Sequence, residues 1–233
     1  MRSGERLRSS ETHAVRIPPI GLEGDLAIPR GAEAVAVFAH GSGSSRFSPR
    51  NRLVAAELRK AGLATLLMDL LTAEEERTKD LRFEIPLLAD RVVLAAEWLR
   101  STPETEELQI GYFGASTGAA AALVAAARSP ESVYAVVSRG GRPDLAGEDL
   151  GAVEAPTLFI VGGEDDVVLD LNRQAQRQLR CPSRLAVIPG ATHLFEEPGA
   201  LDEVTRLARE WFLSHLAGRT DAEASTVSSA KRP

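Results

Sequence analysis

The sequence predicts an α/β fold with a mostly parallel central sheet and helices on both faces. Three observations point there. Short apolar runs rich in β-branched residues alternate along the chain with stretches whose apolar residues fall at helical spacing. A β-α-β-α order needs crossover connections, and these stack helices on both faces of a parallel sheet. The inner runs are continuously apolar rather than alternating, as strands covered on both faces must be. The 233 residues suit one such domain, with no internal repeat and no linker-like stretch inside it.

The elements follow in order. Residues 1–12 are charged and read as a flexible N-terminus, with no apolar segment of the kind a signal peptide needs. His13–Ile17 and Leu22–Ile28 are candidate strands parted by Pro18, Pro19 and Gly21, an antiparallel opening to the sheet. Ala34–Ala39 is a short buried strand, followed by a Gly-rich turn and a helix over Arg50–Ala61 that Gly62 ends. Leu63–Met68 is the next strand. Ile85, Leu88, Val92, Ala96 and Leu99 share one helical face, so Phe83–Arg100 is an amphipathic helix. Leu108–Phe113 is a strand, followed closely by the Ala-rich helix Thr117–Arg128. Val133–Ser138 and Thr157–Val161 are strands, and the residues between them leave room for loops and one short helix. Val167–Leu179 reads as a helix and Arg184–Ile188 as the last strand. Leu201, Val204, Ala208, Trp211 and Leu216 form the apolar stripe of a final helix, and residues 218–233 are expected to be a disordered tail. The folded domain is therefore expected over 13–217.

In open parallel sheets ligands bind at the carboxyl ends of the strands, so residues just after a strand are site candidates. Gly114-Ala115-Ser116-Thr117-Gly118 has the form G-x-S-x-G and lies between a strand and a helix. That is the setting of a nucleophile elbow. The turn is so tight that its flanking positions must be glycine, and the helix start beneath the serine favours developing negative charge.

A serine needs a base. Of four histidines, His13 lies in the first strand, His215 sits among packing residues of the last helix, and His40 ends a strand and orders the loop after it. His193, in the loop after the last strand, is the one placed to act above the sheet. The base needs an acid to hold its tautomer. Asp165, after the Thr157–Val161 strand, is the first choice, with Asp166 better placed to cap the next helix. Glu164 and Asp166 are the fallbacks, and Asp144 is a further alternative after the preceding strand. The oxyanion hole should combine the N–H of Thr117 with one from His40-Gly41-Ser42-Gly43-Ser44-Ser45. Ser42 is the assigned donor, with Gly41 and Gly43 open. Gly41-x-Gly43 lacks both the third glycine of a dinucleotide fingerprint and the G-K-[ST] of a phosphate loop, which argues against a nucleotide cofactor.

Taken together, His40-Gly41, Gly114-x-Ser116-x-Gly118, Gly163-x-Asp165 and Gly190-Ala191-Thr192-His193 resemble an α/β-hydrolase, over roughly residues 13–217. The small size is similar to the dienelactone-hydrolase-like branch. The resemblance implies an α/β-hydrolase fold and ester-cleaving serine chemistry, with no cofactor and no metal. It departs at one point, because enzymes that act on dienelactone itself use cysteine where this chain has Ser116. A serine esterase acting on something other than dienelactone is therefore expected. Many relatives insert a cap domain after the strand corresponding to Val133–Ser138. Here only about 18 residues precede the next strand, so no cap domain is expected. The 69–82 loop, rich in charge, is either a lid or a solvated segment. Arg139 directly follows a strand end and is the candidate substrate-binding residue for a carboxylate, with Arg46 as a second cation near the site.

Composition sets the remaining bounds. Apolar residues make up 44% and charged residues 26%, with a net charge of −6, which argues against nucleic acid as a partner. The longest apolar run, Ala119–Ala127, is too short to span a bilayer. Cys181 is the single cysteine, so no intrachain disulfide can form. The expected protein is a cytoplasmic monomer or homodimer acting on a small ester-like molecule. An acyltransferase, or a non-catalytic ligand-binding or accessory domain on the same scaffold, is the competing expectation.

Overall fold

The computed structural model describes residues 11–229, with side chains described up to residue 216. Its single sheet contains β1 (Thr12–Ile17), β2 (Leu22–Ala27), β3 (Ala34–Ala39), β4 (Ala64–Met68), β5 (Gln109–Ala115), β6 (Val133–Arg139), β7 (Thr157–Gly162) and β8 (Ser183–Ile188). Their spatial order is β1-β2-β4-β3-β5-β6-β7-β8. β2 runs against both neighbours, while β3 to β8 are mutually parallel. β3, β4, β6 and β7 are buried at every position, whereas the edge strands β1 and β8 alternate.

The five long helices are α1 (Pro49–Lys60), α2 (Ile85–Arg100), α3 (Thr117–Arg128), α4 (Asp166–Gln178) and α5 (Ala200–Ser229). Strand alternation splits the core in two. Val35, Val37 and Ala39 of β3 pack with α2 and α3, while Ala34, Ala36 and Phe38 face α1 and α5. On the second face Phe38 lies against Phe113, with ring centroids 4.8 Å apart. Each such buried ring stabilises the fold by about 1.5–3 kcal/mol. α3 is buried from Thr117 to Ala126. Six of those ten residues are alanine, which lets neighbouring elements cover the helix closely.

The expected sheet is thus present, without a cap domain. Between β6 and β7 the chain forms only a 3-10 segment, Pro143–Ala152. The backbone of α5 runs on to Ser229, through part of the span 218–233 read from sequence as a tail. No proline or glycine follows Gly218 as far as Ser229, and extending an existing helix costs far less than nucleating one. The expected flexible N-terminus falls almost wholly on residues 1–10, which lie outside the described residues, as do 230–233. Among the described residues no helix is long and apolar enough to cross a membrane.

The strand order positions the site. From β3 the chain moves one way to β4 and then returns to place β5 on the other side of β3. Loops leaving the carboxyl ends of β3 and β5 diverge there and leave a crevice. His40 opens one of these loops and Ser116 the other.

Candidate active site

Ser116 stands between β5 and α3 with φ 52° and ψ −122°. A non-glycine residue there is strained by about 1–3 kcal/mol. Its backbone is held on both sides: its N–H donates to Arg139 O at 3.2 Å, and its own carbonyl accepts from Arg142 N–H and Ala119 N–H, each at 3.1 Å. The flanking glycines are required by contact. A Cβ at Gly118 would lie 2.3 Å from the carbonyl oxygens of Ala39 and His40, and one at Gly114 would lie 2.4 Å from Ala119 Cα. Ser116 alone in residues 110–126 is not fully buried, so the hydroxyl-bearing residue is the one presented at the surface.

His193 follows β8. Its loop lies directly on the end of β7, where Glu164 N–H donates to Ala191 O at 3.0 Å and a Cβ at Gly162 would meet that same oxygen at 2.3 Å. This close approach brings His193 Nδ1 within 2.7 Å of Asp165 Oδ2. With Nδ1–H donating to the carboxylate, Nε2 is the free basic nitrogen. Asp165 itself is the N-cap residue of α4 and makes no side-chain capping bond, while Asp166 is the first helical residue. The capping role expected of Asp166 is therefore not made, and Asp165 directs its carboxylate to the imidazole instead. The fallback acids point elsewhere. Glu164 and Asp166 are exposed, and Asp144 accepts two bonds from Arg142 at 2.8 and 2.7 Å. On the far side, Gly140 backs the ring: a Cβ there would lie 3.4 Å from His193 Cε1. Gly140 follows Arg139, the last residue of β6, and Ser116 N–H donates to that same Arg139, so His193 and Ser116 both lie beside the end of β6. No hydrogen bond joins the Ser116 hydroxyl to His193 in this structure.

The loop after β3 touches the elbow. A Cβ at Gly41 would lie 3.0 Å from Ser116 Cβ, a tight contact that a side chain there would have to accommodate. Ser42 N–H donates to Thr117 Oγ1 at 2.8 Å. The amide assigned to the oxyanion hole thus ends on the side chain of the other assigned residue. Thr117, the first residue of α3, has a backbone N–H among the four that a helix leaves unpaired. His40 holds the loop from behind. Its Nδ1–H donates to Gly41 O at 3.0 Å and its Nε2 accepts from Leu70 N–H at 3.2 Å. Burial pushes its pKa down, against the raising influence of the Gly41 carbonyl and of Asp69 and Glu76, so it bridges as a neutral ring.

The two arginines differ. Arg46 is surrounded by Glu23 (2.7 Å), Asp25 (3.8 Å) and Asp69. Its charge is spent on the protein, which removes it as a free substrate cation. Arg139 is 7% exposed and donates to Asn51 Oδ1 at 3.3 Å. Its guanidinium lies 5.8 Å from the Phe195 ring centroid. Among the described residues no carboxylate lies within ion-pair distance of it. Burial and the nearby Arg50 pull its pKa down to about 10, so it is still charged at neutral pH. Arg139 is thus more deeply placed than a strand-end residue suggests.

Two contributors escaped the sequence reading. Phe195 is fully buried with φ 55°, and its conformation closes the turn that presents His193, with its N–H donating to Thr192 O at 3.2 Å. Asn51 holds Arg139 from α1. An aromatic residue two places after the loop histidine was the available signal for the first; Asn51 offered none. Beside the oxyanion loop lies a cleft of about 420 Å³ lined by Gly43, Ser45, Phe47, Glu76 and Arg82. Phe47 lies there against the guanidinium groups of Arg46 and Arg52, 4.1 and 4.7 Å from its ring centroid. The 69–82 loop folds into two 3-10 turns, Glu75–Arg77 and Lys79–Phe83, and Glu75 is tied to Arg91 at 2.7 Å. Among the described residues no group of three His, Cys, Asp or Glu side chains is disposed to hold a metal ion.

Comparison with known proteins places this geometry. Residues 22–212 match the model of the dienelactone hydrolase family. The crystal structure of a dienelactone hydrolase from Anabaena variabilis superposes with a TM-score of 0.87 at 58% identity, over 89% of this chain and 99% of that one. Est1E from Butyrivibrio proteoclasticus shares the fold at 17% identity, with a TM-score of 0.73 over 89% of this chain and all of its own. A Mycobacterium tuberculosis protein provisionally named a phosphoribosyl transferase is 57% identical over 212 residues. That match takes in 91% of this chain but 48% of the relative, so the chain spans about half the relative's length.

Proposed function

The chain belongs to the dienelactone hydrolase family, and from that premise we propose that it is a serine hydrolase cleaving a small ester, thioester or lactone. The observation that carries the reading is the 2.7 Å bond between His193 Nδ1 and Asp165 Oδ2, set beside a strained, presented Ser116. His193 Nε2 takes the proton of Ser116 Oγ as that oxygen bonds to the substrate's carbonyl carbon. Asp165 holds the ring in the tautomer this needs and stabilises the imidazolium. The tetrahedral oxyanion rests at the Thr117 N–H and the loop carrying Ser42. His193 then returns the proton to the leaving group as the acyl bond breaks. Water repeats the sequence on the acyl-serine, giving the acid and free enzyme.

An anionic substrate suits the site. Arg139 is a buried cation with no carboxylate partner among the described residues, and a substrate carboxylate would supply the missing charge. The name of the mycobacterial relative suggests phosphoribosyl transfer. This chain matches 48% of that protein, and Ser116, His193 and Asp165 suit ester chemistry instead. A fluorophosphonate probe tests the reading. It should label the wild-type protein and leave Ser116→Ala unlabelled. Labelling that persists in the variant would remove Ser116 as the nucleophile.

A further inference from the structure

Resting on the serine-hydrolase reading above, we propose that the Thr117 side-chain hydroxyl is itself a catalytic residue: it takes the Ser42 N–H and donates its own O–H to the oxyanion. A backbone amide has one hydrogen to give. At 2.8 Å from Thr117 Oγ1, the Ser42 amide has given it. While that bond stands, Ser42 cannot also be an in-line donor to the substrate. A threonine hydroxyl, however, has one donor hydrogen as well as its acceptor lone pairs. Thr117 Oγ1 accepts from Ser42 and makes no other hydrogen bond among the described residues. Its hydrogen is therefore unassigned, in a residue only 5% exposed.

Position points the same way. Thr117 directly follows Ser116, and its Oγ1 bridges to the loop whose Gly41 lies against the Ser116 side chain. The hydroxyl thus sits where the oxyanion loop meets the nucleophile. Accepting a hydrogen bond from an amide also polarises an O–H and makes it a better donor. One residue would then present two donors, its own helix-terminal N–H and the Ser42-backed O–H. No proton is transferred along the chain. The O–H and N–H bonds stay intact as charge develops on the substrate oxygen, and only the hydrogen-bond geometry tightens.

The rival roles make opposite predictions. A hydroxyl that plugs the oxyanion hole must leave before catalysis, and its removal speeds turnover. A hydroxyl that merely braces the loop changes stability rather than transition-state binding. The test compares wild type, Thr117→Val and Thr117→Ser on p-nitrophenyl acetate, with phenylboronic acid as a tetrahedral mimic. Loss of one oxyanion donor costs about 10²–10³-fold in kcat. Thr117→Val, nearly isosteric, should lose about that factor with little change in KM, and the boronic acid should weaken in step. Thr117→Ser, which keeps the hydroxyl, should recover most of the loss. Should Thr117→Val fail to fold by circular dichroism, Thr117→Ala takes its place. Turnover in the hydroxyl-free variant equal to or above wild type overturns the proposal, as does a Thr117→Ser variant that is equally impaired. A wild-type protein that neither hydrolyses the ester nor takes fluorophosphonate at Ser116 overturns the serine-hydrolase reading itself. An active, labelled wild type beside an unimpaired Thr117→Val overturns only the role of Thr117.

Discussion

Ser116 is flanked by a proposed acid–base side, where His193 is bonded to Asp165, and a proposed oxyanion side, where Ser42 is bonded to Thr117. On the first side a charged group is held for use: the carboxylate of Asp165 faces an imidazole whose other nitrogen stays free. On the second, the Ser42 amide is already satisfied by Thr117 Oγ1, because a buried amide without a partner costs about 1–3 kcal/mol. The same contrast separates the two arginines. Arg46, near the loop after β3, is surrounded by three acids, whereas Arg139, near Phe195, has none among the described residues. The comparison teaches that charge compensation within the protein is complete on one flank and left open on the other. Substrate charge is then expected to matter on the His193 side.

The largest expected effect tests whether the acid–base flank is catalytic. His193→Ala should lower kcat by about 10⁴-fold or more, leaving only binding and the oxyanion hole. Steady-state kinetics on an activated ester measures this. A variant within tenfold of wild type would mean that the bonded pair is structural.

Next comes the choice of acid. Asp165→Asn should cost about 10³–10⁴-fold in kcat, because the imidazole loses its orienting charge. Asp144→Asn should stay within a few-fold, since Asp144 is committed to Arg142. If the order of the two variants reverses, the acid belongs to the earlier strand.

A smaller effect sharpens the contrast between the arginines. A charge-assisted bond from Arg139 to a substrate carboxylate is worth about 1.5–3 kcal/mol, or about tenfold to a hundredfold in kcat/KM. Arg139→Gln should lose that factor on a carboxylate-bearing ester and not on its neutral analogue. Equal losses on both would make Arg139 a packing residue held by Asn51.

The smallest effect concerns the neutral bridge behind the oxyanion loop. Burial lowers the pKa of His40, so the folded protein binds that proton less readily than the unfolded chain. The stability contributed by the neutral ring is present above the ordinary histidine range near 6.5 and is lost as pH falls through and below it. Protonation also puts a hydrogen on Nε2, where it now accepts from Leu70 N–H. Between pH 7 and pH 5 the Tm of wild type should therefore fall further than that of His40→Asn. The gap should be a few degrees, since about 1 kcal/mol moves the Tm of a domain this size by 2–4 °C. Parallel melting curves would show that His40 is not the titrating bridge.

The elbow at Ser116 was legible because its signal is local. Two glycines at fixed offsets between a strand and an Ala-rich helix reflect contacts that no Cβ could share. His193 was legible by elimination, being the histidine in a loop after a strand. Phe195 and Asn51 were not, because neither belongs to a motif and each acts through a partner remote in sequence.

By itself the sequence determined the sheet, its alternating helices and the placement of Ser116, Asp165 and His193 just after strands, since periodicity and turn residues act over a few positions. Tertiary structure decided which carboxylate faces the imidazole. It also decided that Ser42 spends its amide on a residue 75 positions away, and that Arg139 meets Asn51 across 88 positions while Arg46 meets Asp69 across 23. These outcomes depend on through-space neighbours and on the requirement that buried polar groups find partners. No local pattern records which partner each group will find.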